Sequence, residues 1–180
     1  MKDINGYLDI TPGDFREVYT VAYIQAMARI NKNVKARDIM TSPVVTTLED
    51  APLIIAAELM AKNTISGLPV MGKDQRIAGV VSETDYLKAM GEQRGLSFMH
   101  VIVHCLKNKG CMAVPFRNGK VGDIMTSPPH LVQEDTPVFE IAKLLEMENI
   151  NRVPVVDKNS KLVGIVTRTD IVQSYCMKSP

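Results

Sequence analysis

Two short segments place hydroxyl and carboxylate side chains where an apolar run gives way to a helix: Val81-Ser82-Glu83-Thr84-Asp85 and Val166-Thr167-Arg168-Thr169-Asp170. In each, a hydroxyl residue stands three positions before an aspartate. That spacing has an architectural use, because Ser/Thr-x-x-Asp can satisfy unpaired N–H groups at the start of a helix. It also has a chemical one. A helix N-terminus offers backbone donors and the positive end of its dipole to phosphate, and an aspartate there can accept hydrogen bonds from ribose hydroxyls. The two uses are compatible.

A second candidate is the pair His100 and His104, four residues apart, with Cys105 adjacent and Cys111 downstream. Two ligands on one helical face could begin a metal site, but nothing nearby completes the set. Phe98, Val101, Ile102 and Leu106 give the same stretch apolar packing positions, so a packing or interface helix is the better reading. The chain has no nucleophile elbow, P-loop or metalloprotease pair, and its carboxylates are accounted for by caps, turns and ribose-type positions. An enzyme is not expected.

The elements that position these residues are written twice. Asp38-Ile39-Met40-Thr41-Ser42-Pro43 recurs unchanged as Asp123-Ile124-Met125-Thr126-Ser127-Pro128, 85 residues on. The same offset aligns Glu49-Asp50 with Glu134-Asp135, Pro69-Val70 with Pro154-Val155, Gly79 with Gly164, and Thr84-Asp85 with Thr169-Asp170. The chain therefore holds two copies of one unit of about 50 residues.

Each copy reads as extended segment, helix, strand, strand, helix. Val44 to Thr47 is β-branched, and Glu49-Asp50 followed by Pro52 marks a helix start. That helix is expected to reach about Asn63, with Ile55, Leu59 and Met60 on its buried face and Ile141, Leu144 and Leu145 on the equivalent face of copy two. Polar turns at 72–75 and 157–160 separate the two strands of each copy. Units this small bury little alone, so the copies are expected to pack on each other about a pseudo-two-fold axis. The expected organisation is an amphipathic helix at 12–31 within residues 1–33, unit 1 at 34–90, a helical insertion at 91–117 with its helix at 96–107, and unit 2 at 118–180.

Composition agrees with a globular α/β (α+β) chain: 180 residues, 46% hydrophobic and 23% charged, with 21 Lys and Arg against 20 Asp and Glu. That balance gives no field for a partner chosen by bulk charge, so nucleic acid is not expected. No apolar run approaches the roughly 18–20 residues of a membrane span. The N-terminus, with Lys2, Asp3, Asp9 and Asp14, lacks the tripartite pattern of a signal peptide, and cytoplasmic location is expected. Three cysteines without CxxC spacing fit reduced thiols. The 11 methionines, Met40 and Met125 among them, read as core filling.

The paired Asp-Ile-Met-Thr, the Leu/Val-Pro-Val segments and the Gly-Val/Ile-Val-Ser/Thr-x-x-Asp ends resemble tandem cystathionine β-synthase (CBS) domains, over about residues 35–90 and 118–177. The resemblance implies two β-α-β-β-α units packed sheet to sheet, a Bateman module, with two related clefts between them. It also implies a homodimer of such pairs forming a flat disc. The family commonly binds adenosine-containing ligands in those clefts, including AMP, ADP, ATP and in some members S-adenosylmethionine or NAD, as a regulatory sensor.

Carried over by position, Asp85 and Asp170 resemble the ribose-binding aspartates, and Ser82 and Thr167 the hydroxyls beside ribose or phosphate. Thr84 and Thr169 match positions that approach phosphate. Ser66-Gly67 and Asn151-Arg152 stand where nucleotide-binding relatives place basic side chains. Val44, Val45 and Thr46, Pro129, His130 and Leu131, Leu68-Pro69 and Val153-Pro154 would line base pockets.

The copies differ in charge. Arg152 and Arg168 can fork onto phosphate oxygens, where copy one has Gly67 and Glu83. Unequal sites are expected, with Asp170, Thr167 and the two arginines marking the better one. The expected function is a regulatory module for an AMP-, ADP- or ATP-type ligand, signalling to a separate effector protein by conformational or oligomeric change. The alternative is a non-catalytic dimerisation or protein-interaction module whose clefts are vestigial or take a ligand outside the adenosine class.

Overall fold

The computed structural model describes residues 34–90 and 118–176. The helix expected at 12–31, and the insertion at 91–117 with His100, His104, Cys105 and Cys111, lie outside those residues. The first half runs α1 (Ala36–Ile39), β1 (Thr47–Leu48), α2 (Leu53–Asn63), β2 (Gly67–Met71), β3 (Ile77–Ser82) and α3 (Glu83–Met90). The second half runs from a 3-10 turn at Val121–Asp123 through β4 (Val132–Gln133), α4 (Val138–Met147), β5 (Arg152–Val156), β6 (Leu162–Thr167) and α5 (Arg168–Cys176). The β-α-β-β-α order expected of each unit is present.

Each unit has a three-stranded sheet of order β1-β2-β3 or β4-β5-β6, with the first strand parallel and the third antiparallel to the central one. The antiparallel register pairs Gly67 with Ser82 and Arg152 with Thr167. Positions 67 and 152 thus lie beside the hydroxyl residues that precede α3 and α5. Pro52 and Pro137 start α2 and α4, where a missing N–H costs no helix hydrogen bond. Left-handed residues recur at matching places: Thr64 and Asn149 after those helices, and Gln75 and Ser160 in the β-hairpins. The Ser42-Pro43 and Ser127-Pro128 bonds are both cis.

The buried face of α2 is Leu53, Ala56 and Met60, and Ile55 is 43% exposed, contrary to the face expected from spacing. Ala56, fully buried at the next position, takes the inward direction that the larger Ile55 was expected to hold. In α4, Ile141 and Leu145 are buried as expected. The extended segment before α2 forms ladder pairs only at Thr47 and Leu48, which leaves Val44 and Val45 outside the sheet.

The units exchange their leading segments. Val34 and Ala36 are buried in one core cluster with Val132, Val138, Ile141, Val153 and Val166, and Ile39 and Met40 pack against it. Val121 is buried with Leu53, Ala56, Leu68 and Val81, and Ile124 and Met125 pack there. Backbone bonds repeat the swap: Val138 N–H donates to Val34 O at 3.0 Å, and Leu53 N–H to Gly119 O at 3.0 Å. Thr41 bridges to Ile165, and Thr126 to Val80. This reciprocity is the pseudo-two-fold relation expressed in hydrogen bonds and packing, and it ties each repeated Asp-Ile-Met-Thr motif to the other unit's sheet.

Candidate functional site

Both Ser/Thr-x-x-Asp segments form caps. Asp85 Oδ2 accepts from Ser82 N–H at 2.8 Å and from Ser82 Oγ at 2.6 Å. Asp170 Oδ2 accepts from Thr167 N–H and Thr167 Oγ1, both at 2.7 Å, and Asp170 N–H donates back to Thr167 Oγ1 at 3.3 Å. The aspartates are fixed at the first turns of α3 and α5, in the clefts between the two units.

The clefts are composite. One holds Ser82, Glu83, Thr84, Asp85 and Lys88 from unit 1 facing Thr126, Pro129, His130, Asn149 and Ile150 from unit 2, in about 190 Å³. The other holds Ile165, Thr167, Arg168, Thr169 and Asp170 from unit 2 facing Thr41, Pro43, Val44, Val45, Thr64 and Ile65 from unit 1, in about 530 Å³. Ser66, Asn151 and Arg152 line both. The exchanged segments are what bring each aspartate opposite the other copy's motif.

The two aspartates are not equivalent. Asp85 is 7% exposed, and its second oxygen, Oδ1, accepts from Thr126 Oγ1 at 3.2 Å. Thr41 holds the matching place in the Asp170 cleft. Among the described residues, however, Oδ1 of Asp170 accepts no hydrogen bond, since all its partners are on Oδ2. Ligand pockets run from about 300 to 1,000 Å³. The Asp170 cleft falls within that range and the Asp85 cleft below it.

The arginines differ too. Arg152 NH2 donates to Ser66 Oγ at 2.6 Å across the unit boundary. Burial pulls its guanidinium below the ordinary arginine value, and the charges of Glu83 and Asp85 oppose that shift. Arg168 lines the Asp170 cleft but donates through Nε to Ile150 O at 3.1 Å and through NH2 to Leu145 O at 2.8 Å. These two bonds tie the start of α5 to the end of α4. His130, placed with copy two by sequence, lies in the Asp85 cleft, with Nε2 3.6 Å from Glu148 Oε2.

Of the residues expected at the sites, Asp85, Ser82, Thr84 and His130 meet in one cleft and Asp170, Thr167, Arg168, Thr169 and Val45 in the other, with Ser66, Asn151 and Arg152 common to both. Leu68, Pro69, Val153 and Pro154 line neither. They lie on the central strands β2 and β5, whose residues are buried in succession, so their side chains are core. Thr46 faces a separate groove beside Met71 and Lys161, and Leu131 is 40% exposed away from both clefts. Sequence reasoning passed over Thr41, Thr126, Lys88 and Asn149. Lys88 was legible as the residue one turn beyond Asp85 on α3, and the two threonines as members of the repeated motif. Among the described residues no group of three or more His, Cys, Asp or Glu is placed to hold a metal ion, and no helix is long and apolar enough to cross a membrane.

The sequence profile described as "CBS domain" matches residues 36–92 and 121–176. The uncharacterized protein MJ1426 of Methanocaldococcus jannaschii is 33% identical over 161 residues, covering 77% of this chain and 89% of that protein. The crystal structure of CBSX2 of Arabidopsis thaliana in complex with AMP superposes with a TM-score of 0.60 at 27% identity, over 79% of this chain and 96% of that one. The CBS domain pair of protein MJ0100, solved with 5-methylthioadenosine and S-adenosyl-L-methionine, gives 0.62 at 25%, over 81% and 98%. With a family match on both repeats and paired sheets enclosing two clefts, the chain belongs to the CBS domain family, as a tandem pair.

Proposed function

We propose that this pair is a regulatory module that binds an adenosine nucleotide of the AMP, ADP or ATP type in the Asp170 cleft, without catalysis of its own. The carrying observation is that Oδ1 of Asp170 accepts no hydrogen bond among the described residues, in a cleft of about 530 Å³, against an Asp85 whose oxygens are both engaged in about 190 Å³. A carboxylate oxygen fixed at a helix start and facing open space suits two adjacent ribose hydroxyls. Thr167, Thr169 and the Thr169 N–H in the first turn of α5 suit phosphate, with Arg152 supplying charge from the side. Val44, Val45 and Ile165 give an apolar wall for a base. AMP in CBSX2 and S-adenosyl-L-methionine in the MJ0100 pair support the adenosine class.

Binding becomes a signal where the ligand prefers one arrangement of the units over another, since equal affinity for both shifts nothing. Each cleft is walled by both units, so a bound ligand acts directly on their arrangement. A homodimer in the cytoplasm handing the signal to a separate effector protein completes the reading. An apolar groove of about 650 Å³ between α2 and α3, lined by Ala57, Met60, Ala61, Tyr86 and Leu87, supports such contacts.

The test is isothermal titration calorimetry with AMP, ADP, ATP and S-adenosyl-L-methionine on the wild type, Asp170→Ala and Asp85→Ala. Saturable binding weakened at least about tenfold by D170A, and much less by D85A, is expected for a charged hydrogen-bond acceptor removed from one site only. Folded wild-type protein that binds none of the four would point to an interaction module or to a ligand outside the adenosine class.

A further inference from the structure

Positions 67 and 152 are mates in the repeat, and one has no side chain. A Cβ added at Gly67 would lie 2.6 Å from Arg152 NH1 and 2.8 Å from its Cζ, so the guanidinium occupies the space that a second side chain at position 67 would need. One arginine thus stands where symmetry would put two. It lines both clefts and is tied to Ser66, which lines both as well. Glu83, the repeat mate of Arg168, shares the smaller cleft with it, as does Asp85.

We infer that Arg152 is a single cation shared between the two clefts and held toward the smaller one by Glu83, so that a phosphorylated ligand in the Asp170 cleft must draw it away and only one cleft can hold phosphate at a time. The inference rests on the nucleotide reading above. Its physical basis is the carboxylates' charge: Glu83 and Asp85 favour the charged guanidinium against the cost of its burial. Phosphate in the larger cleft competes with their through-space charge, and with Ser66 Oγ, for the guanidinium. Once the guanidinium is recruited there, the smaller cleft sets two carboxylates, Glu83 and Asp85, against Lys88 alone, and its net negative charge repels a second anion.

The experiment titrates AMP and, separately, adenosine, which lacks the phosphate, into the full chain as wild type, Glu83→Gln, Arg152→Gln and the double variant. Thermal melts verify folding. Wild type is expected to bind one AMP per chain. E83Q tightens AMP by about three- to tenfold, as expected for one partly screened charge pair, and leaves adenosine within about twofold. In the R152Q background, E83Q gives no such gain, because the cation it released is gone.

Two AMP per chain at equal affinity would overturn the inference. So would an E83Q gain that persists in R152Q, which would mark a general field effect, or no gain at all. Should R152Q fail to fold, the contrast between AMP and adenosine in E83Q still decides: a gain confined to AMP supports the shared cation, and an equal gain for both overturns it. Folded wild type that binds neither ligand would remove the nucleotide reading and this inference together. Binding of both ligands with the wrong substitution pattern would remove only the sharing of Arg152.

Discussion

Gly164 and Gly79 lack side chains because a thioether of the opposite unit's motif fills the space. A Cβ at Gly164 would collide with Met40 Sδ and lie 2.7 Å from its Cγ, and one at Gly79 would lie 2.7 Å from both Met125 Sδ and the Thr126 carbonyl oxygen. Overpacking of this kind costs about 1–3 kcal/mol. Gly164→Ala is expected to lower Tm and Met40→Ala to recover part of the loss, since the obstacle is a flexible side chain. Gly79→Ala is expected to be rescued less by Met125→Ala, because the Thr126 carbonyl belongs to a paired bridge with Val80 and cannot withdraw. Strictly additive double variants, measured by thermal denaturation, would show that the methionines are not the obstacle. The repeat made the residues conspicuous, but core filling was as much as it could say of the methionines. That each sits against the other unit's glycine is a long-range contact with no trace in local spacing.

At the scale of elements, the site depends on how the first turns of α3 and α5 are held. Their caps were legible from three-residue spacing, since the interaction is local. The role of Arg168 was not. Its guanidinium closes onto Leu145 O at the end of α4 and Ile150 O in the following turn, eighteen or more positions earlier in the chain. Arg168→Ala is therefore expected to destabilise the fold by about 1 kcal/mol through loss of these two bonds, with the Leu145 carbonyl still accepting from Ile150 N–H. Arg168→Lys should recover little, because an ammonium cannot span both acceptors. Paired melting and AMP titration check this: an unchanged Tm with a large loss of AMP affinity would return Arg168 to the phosphate-binding set. The same logic explains Ile55. A helical period gives the width of an apolar face, but the neighbouring strand chooses its direction, and β2 packs against Leu53, Ala56 and Met60.

At the scale of the whole molecule, the exchanged leading segments join the units on the surface as well as in the core. Lys35 Nζ lies 2.9 Å and Arg37 NH1 2.7 Å from Asp135 Oδ1, linking the chain before unit 1 to unit 2. The hydrogen bond and charge of Lys35, then the charge of Arg37, hold the Asp135 carboxyl below its usual value. A carboxylate lowered in the folded state adds stability above its unfolded pKa and loses it as pH falls through the folded one. Asp135→Asn is expected to lower Tm slightly at pH 7, by an amount that shrinks in about 1 M salt and disappears as the pH drops below about 4. The side chain is exposed, so the effect is small. A D135N penalty that persists at low pH would mean that the side chain contributes through something other than its charge.

By itself the sequence determined the number of units, their element order, the two capped aspartates and the inequality of the two copies in charge. All of these follow from identities, periods and spacings within some tens of residues, or from direct comparison of one repeat with the other. Tertiary structure alone decided which motif faces which aspartate, that Thr126 closes Asp85 while no described residue bonds Oδ1 of Asp170, that Arg168 is tied to main-chain carbonyls, and that Arg152 stands between the clefts over Gly67. The reason is that the cleft contacts join residues brought together by the exchange of leading segments or by packing across the pseudo-two-fold axis, and the Arg168 bonds join α5 to chain eighteen or more positions earlier in the same unit. A repeat shows which residues are mates, and only the fold shows which mates meet.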